Sequence, residues 1–279
     1  MKADLLAEAD RLAARVPDGA SVTVHKGDEP DVPMALAHAL VRRGVRGLHL
    51  ITLPTAAYPA SGMMVDLLIG AGCVASVETS GISLHELGAA PRFTQAVKAG
   101  RLKVIDATCP AVYAGLQAGA KGQPFAPLRG LIGSDLLRHR SDYRVIDNPY
   151  APGDPIVVVP AINAGFAIFH AAGADAQGNV WIGRDRDRLL AAHAAQCVLV
   201  TVDERVPGSF FDDERSAAGV IPAAYIDALA VVPGGGAPML PDGRCDLQAV
   251  RRYRQAALDD AAFAAYLRAE VFGRGAMPA

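Results

Sequence analysis

The sequence predicts an α/β protein: an open, mostly parallel sheet with helices on both faces. Three observations carry this reading. Short apolar runs of strand length alternate with helical patterns along most of the chain. The 279 residues are enough for a large α/β unit with a substantial core. No apolar run approaches the roughly 18 residues that a membrane-spanning helix needs.

The opening MKADLLAEADRLAARV alternates charged and apolar groups like an amphipathic helix. Residues 21–25 read as a strand, and 33–43 as a helix with Pro33 near its start. Residues 48–53 are a strand and 63–69 a helix. Residues 91–100 are a helix stopped by Gly100, 102–105 a strand, and 111–120 a helix ended by Gly122. Residues 129–154 are polar and rich in turns, with Asn148-Pro149 and Pro152-Gly153. Strands are expected at 156–160 and 166–170, a helix at 187–195, and strands at 197–202 and 226–232. Residues 247–272 carry one long amphipathic helical pattern with Ala-rich faces, suited to packing inside the chain or between subunits. No repeat, low-complexity tract or flexible linker divides the chain, so residues 1–279 are expected to form a single domain.

Composition excludes several classes. The net charge of −2 gives no basic footprint for nucleic acid. Cys73, Cys109, Cys197 and Cys245 are scattered without a C-x-x-C pair, so zinc and disulfide frameworks are not expected. The first residues lack the apolar core and cleavage site of a signal peptide, and reduced thiols in the cytoplasm are expected. P-loop and G-x-S-x-G motifs are absent. Gly234-Gly235-Gly236 follows a strand, but Pro238 and Pro241 make it a turn and no dinucleotide site.

The stretches left to carry chemistry are few. Asp66 to Val77, DLLIGAGCVASV, is a small-residue turn between an apolar helix and a strand, where Gly70, Ala71 and Gly72 allow close backbone approach. His25 to Ala35, HKGDEPDVPMA, lies between the first strand and helix, where open sheets place ligand loops; otherwise it is a solvated acidic turn. Gly81 to Gly88, GISLHELG, is a loop bearing Ser83 and His85. Asp106 stands at a strand end, facing the crevice or capping the next helix. Cys109 is a thiol activated by a helix start, or a packing residue. Gly130 to His139, GLIGSDLLRH, holds Arg138 and His139 in a polar loop. Asp175-Ala-Gln-Gly-Asn179 is a turn by its own chemistry.

As an ordered set, these stretches resemble the alpha (A) subunit of family I CoA-transferases, the glutaconate CoA-transferase branch in particular, over roughly residues 15 to 250. The first loop departs from that pattern: it has one glycine where the family usually has several, and three acids. The resemblance implies a three-layer fold of the CoA-transferase/NagB-RpiA type. It also implies a two-subunit enzyme that moves CoA between an acyl-CoA and a carboxylic acid. The nucleophile of that family is a glutamate of the beta subunit, placed after an early strand. The matching position here, Thr52-Leu53-Pro54-Thr55, has no carboxylate, and Glu78 and Glu86 come after a later element.

On this resemblance the chain is an alpha subunit, inactive alone, that pairs with a beta subunit in an αβ or α2β2 assembly. Coenzyme A is its substrate, and no tightly bound cofactor or metal is expected. Asp106 is the catalytic candidate. His25, Lys26, Gly27, Glu78, Ser83, His85, Cys109, Arg138 and His139 are the substrate-binding candidates, the last two as partners for an acyl carboxylate or a CoA phosphate. The alternative on the same fold is a subunit of a ring-opening CoA-thioester hydrolase of the steroid-degradation type. A third class is a sugar-phosphate-binding regulator.

Overall fold

The computed structural model describes residues 2–273; Met1 and residues 274–279 of the expected single unit lie outside the described residues. After α1 (Lys2–Ala13), the chain lays down β1 (Ser21–Val24), α2 (Met34–Arg43), β2 (Leu48–Thr52), α3 (Pro59–Gly70), β3 (Val74–Thr79), α4 (Pro91–Lys98), β4 (Lys103–Asp106) and α5 (Cys109–Ala120). Each helix returns the chain to the start of the next parallel strand, the connection a parallel sheet demands. Punctuation is local. Gly44 adopts the left-handed conformation (φ 71°) and its N–H reaches Leu40 O and Val41 O, which ends α2. Helices α3, α4 and α5 all carry proline in their first turn.

The second half supplies β5 (Phe125–Leu128), α6 (Leu136–His139), β6 (Arg144–Asp147), β7 (Pro155–Pro160), β8 (Ala164–Ala174), β9 (Val180–Trp181), α7 (Arg186–Ala194), β10 (Ala195–Arg205), α8 (Glu214–Ala217), β11 (Val220–Ile221) and β12 (Ala228–Val231). The main sheet has nine strands. Its parallel part runs β12-β10-β8-β1-β2-β3-β4, and β9 and β11 add short antiparallel pairs beside β8. One apolar layer holds α1, α2 and α3, with Leu12, Leu36, Leu40, Met64 and Leu68 buried. The opposite layer holds α5 and α7, with Val112, Leu116, Ala191 and Ala192 buried. Each buried Leu or Val contributes about 1.5–3 kcal/mol relative to exposure.

Two regions differ from the sequence expectation. The polar stretch 129–154 is not only turns. It contains β6, which with β5 and β7 makes a separate three-stranded antiparallel sheet. That sheet leaves and rejoins the main fold at one point, because Phe125 and Pro160 face each other in register. The long C-terminal helix is broken into α9 (Leu247–Ala257) and α10 (Asp260–Tyr266), followed by a π-helical turn at Leu267–Val271. Asp259 causes the break: it is extended (φ −127°) and its carboxylate caps α10 by accepting from Ala262 N at 2.8 Å. Tyr253, Ala257 and Phe263 are buried against α3, so this segment packs internally.

The stretch Asp66 to Val77 turns out to be scaffold. Asp66 is fully buried and accepts from Phe93 N at 2.7 Å and from the Tyr253 hydroxyl at 2.8 Å. It thereby ties α3 to α4 and α9. Gly70 is needed because a Cβ there would stand 2.7 Å from the Phe263 ring.

Candidate active site

The register sets one line across the carboxyl ends of the strands: Val24 pairs with Thr52, and Thr79 with Asp106. The loops leaving this line carry the polar groups. Thr52 Oγ1 donates to Pro54 O and meets Thr79 Oγ1, both at 2.8 Å, and Thr55 Oγ1 donates to Gly81 O at 2.7 Å. The corner after β2 is therefore filled by closed hydroxyl–carbonyl bonds and presents no nucleophile.

The first loop divides into two environments. His25 is fully buried, its ring edge-on to Phe169 at 5.7 Å, and neither ring nitrogen has a protein partner. Burial pushes its pKa well down. Asp31, expected on an acid-rich surface, is instead 1% exposed. Burial raises its carboxyl to about 8, with Arg188 pulling the other way. The loop therefore shows the outside only two of its three acids, Asp28 and Glu29. His25, Asp31 and Asp185 bring ligand-type atoms within 4.8 Å of one another, the one such grouping among the described residues. Asp185 is committed elsewhere, capping α7 through Asp187 N and holding Arg188 Nε at 2.7 Å. The adjacent guanidinium puts positive charge where a cation would sit.

Lys26 and Gly27 belong to the outer environment. Gly27 adopts φ +80°, and a Cβ there would lie 3.0 Å from Ser61 N, so only glycine lets the loop lie on α3. Ser61 Oγ donates to Lys26 O and locks the same spot. Lys26 Nζ lies 2.9 Å from Asp28 and 3.5 Å from Asp187. Burial works against its charge, yet these carboxylates hold its pKa above the ordinary value. The Tyr113 hydroxyl donates to Asp187 at 2.8 Å. Burial first, and then Asp187, keep the phenol protonated well past its usual range. Tyr113 lies one helical turn after Cys109 on α5 and so shares its face. Cys109 is exposed at the start of α5, its Sγ 3.9 Å from Ser80 Oγ. Ser80, Cys109, Tyr113, Asp187, Lys26 and Asp28 thus form a strip along the strand ends.

A second group stands beside it. Glu78, Asp106, His139 and Arg140 line a cleft of about 520 Å³. The buried cation here is Arg140, two residues after the candidate Arg138: it is 6% exposed and lies 2.9 Å from Glu78 Oε1. It also forks onto Asp142 at 2.9 and 2.8 Å and donates to Asp106 O at 2.9 Å. Arg138 is on α6, exposed, and paired with Asp135 at 2.7 Å. His49 completes this corner, 2.8 Å from Ser76 Oγ and 3.9 Å from Glu78.

Asp106 is exposed at the end of β4, and it does not cap α5: Thr108 holds the cap position. His85 has φ 54° and stacks on Tyr58 at 5.6 Å, while Ser83 lies in a short bridge with Ala89. These two stand over α3, apart from the Glu78 cleft. Asp175 is structural, as its turn chemistry implied: it accepts from Gln177 N, Asn179 N, Asn179 Nδ2 and Phe210 N. The sequence reading missed Arg140, Tyr113, Asp187 and His49. The spacing of Tyr113 from Cys109 was a usable signal; the other three depend on distant chain segments.

An open parallel sheet with its polar side chains gathered on the carboxyl-end loops is an α/β architecture whose candidate site lies at that edge. The chain belongs to the coenzyme A transferase family, whose model matches residues 6–231. It is 31% identical to the A subunit of 3-oxoadipate CoA-transferase from Pseudomonas knackmussii, over 86% of this chain and 83% of that one. The fold matches the crystal structure of glutaconate CoA-transferase from Acidaminococcus fermentans with a TM-score of 0.82 and 25% identity, covering 95% of this chain and 87% of that one. A cholesterol ring-cleaving hydrolase IpdA subunit of Mycobacterium tuberculosis is 27% identical over 89% of this chain and 86% of its own. The resemblance carried by the motifs therefore holds. No helix among the described residues is long and apolar enough to cross a membrane.

Proposed function

We propose that this chain is the A-type component of a heteromeric CoA-transferase, shaping the acyl site while a second subunit supplies the nucleophilic carboxylate. The observation that carries this is the closed Thr52–Thr55 corner, which holds no acid, within a chain similar to the A subunits of such enzymes. The partner's carboxylate attacks the thioester carbonyl and forms an acyl anhydride, releasing CoA thiolate. The thiolate then attacks the partner's carbonyl of that anhydride, freeing the acid and leaving an enzyme–CoA thioester. The acceptor carboxylate reverses both steps. Covalent catalysis replaces one hard transfer with two balanced ones. On this chain, the Lys26–Tyr113–Cys109 strip lines the crevice, and Asp106 lies at its β4 side.

The test is acyl-CoA:acetate exchange by this chain co-expressed with a beta-like neighbour, and by this chain alone. Exchange by the pair, none by the lone chain, and a reducible thioester on the partner's glutamate are expected. Turnover by the lone chain would overturn the two-subunit reading. CoA release that needs no acceptor acid would instead favour the hydrolase chemistry of the ring-cleaving relatives.

A further inference from the structure

Four polar atoms beneath the first loop are sealed from solvent without a protein partner: Thr23 Oγ1, both ring nitrogens of His25, and Asp31 Oδ1. All three residues are buried. Thr23 and His25 stand two apart along the β1 line and so share a face. The loop brings Asp31 back against His25, its backbone oxygen accepting from His170 N at 2.8 Å. The neighbours have no bonds left to give. Arg188 directs Nε to Asp185, Nη1 to His170 O and Nη2 to Ile182 O, at 2.7, 2.9 and 3.1 Å. Asp185 already accepts from Asp187 N, Arg188 N and Arg188 Nε.

Buried polar groups in folded proteins are hydrogen-bonded almost without exception, to protein or to ordered water. Whatever joins these atoms is neutral: a cation is opposed by the Arg188 guanidinium, and an anion would stand beside the Asp185 carboxylate. It also both donates and accepts. A neutral imidazole offers one donor and one acceptor, and a protonated carboxyl offers an O–H and a carbonyl oxygen. We propose that an ordered internal water sits between His25 and Asp31 and ties together the two ends of the loop that carries Lys26 and Gly27. The spacing suits it. Ligand-type atoms of His25, Asp31 and Asp185 lie within 4.8 Å of one another. Two atoms sharing one water at about 2.8 Å stand about 4.6 Å apart when the angle is near tetrahedral. The water donates to the bare ring nitrogen and accepts from the Asp31 O–H. Every wall of the site belongs to this chain, so the proposal does not depend on a second subunit or on the transferase reading.

High-resolution crystallography of the wild-type complex and of two variants tests it. The expected result is a single density peak about 2.6–3.2 Å from a His25 ring nitrogen and from the Asp31 carboxyl. Asp31→Asn retains a donor and an acceptor and should keep the peak; Asp31→Leu should lose it. If Asp31→Leu does not fold, the wild type and Asp31→Asn decide the matter. A His25 nitrogen bonded directly to the Asp31 carboxyl, with no peak between them, overturns the proposal. So does a peak at about 2.0–2.3 Å with an anomalous signal, which would be a metal ion.

Discussion

Arg140 closes on Glu78 across 62 residues of sequence, Nη1 to Oε1 at 2.9 Å, and the same nitrogen reaches the backbone oxygen of Asp106 at 2.9 Å. The pair clasps the ends of β3 and β4 to the segment after α6. Both side chains are buried, 7% and 10% exposed. Arg140→Met should therefore destabilise by about 3–5 kcal/mol, because it leaves a buried carboxylate unpaired. The double variant Arg140→Met, Glu78→Gln should recover more than half of the loss. Urea titration of the three variants checks this; a double variant no better than the single one would show that the guanidinium's other bonds dominate.

Asp106→Ala distinguishes a role at the candidate site from a role in folding. Its side chain is exposed and the cap position belongs to Thr108. Asp106→Ala should change stability by less than about 0.5 kcal/mol. Turnover of the complex should fall if Asp106 lies in the site, and by roughly a hundredfold if it serves as the proton-transfer group that only the hydrolase chemistry requires. Unchanged kinetics would remove Asp106 from the site.

Gly27 is fixed by geometry. Its φ of +80° and the Ser61 backbone nitrogen 3.0 Å from a virtual Cβ both oppose a side chain. Gly27→Ala should cost about 1–3 kcal/mol and displace Lys26 from Asp28 and Asp187. Thermal melting and the exchange assay should both respond; a variant with an unaltered melt would mean the loop simply lifts.

Asp31 sets a pH dependence. Its carboxyl rises from 3.8 to about 8 on folding, so between those values the native state holds a proton that the unfolded chain has lost. That lowers stability as pH rises. His25 acts oppositely but only below its ordinary 6.5, since the unfolded ring is protonated there while the native one is not. Burial lowers His38 to about 4 and also lowers His49, so below about pH 6.5 the histidines together oppose the Asp31 trend. From about pH 6.5 to about 8 the histidine trend is gone and the Asp31 contribution is worth up to about 2 kcal/mol. Wild-type melting temperature should fall across that window, and Asp31→Asn should flatten the fall. An equal slope in both proteins would place the titration elsewhere.

The sheet was legible because its signals are local. The strand expected at 48–53 appears as Leu48–Thr52, and the helix at 33–43 as Met34–Arg43. Helix α3 starts four residues before its expected Met63, because Pro59-Ala60-Ser61-Gly62 offers no apolar period, only small residues that fit under Ser83. Strand β5 went unread because Pro127 interrupts it, and β6 because all four of its residues are exposed. The candidate site was legible as a grouping of polar side chains where one loop makes it, as at Lys26 and Gly27. It was not legible where the fold makes it: nothing near Arg140 in sequence announces Glu78, and nothing in the acid-rich HKGDEPD says that Asp31 turns inward while Asp28 stays out.

The inserted sheet that departs at Phe125 and returns at Pro160 has its two ends side by side. A lobe attached in this way behaves like a cartridge. Its far ends can be lengthened or trimmed without changing the spacing of α5 and β8, the elements it joins, so long as Ala126, Tyr143, Val157 and Val159 keep their packing on Ala111, Ala114 and Ala118 of α5. The Arg140 clasp holds the lobe to the strand ends. Chimeras that swap residues 125–160, retain an arginine at that point and keep the apolar face against α5 should inherit the donor's lobe on an undisturbed frame.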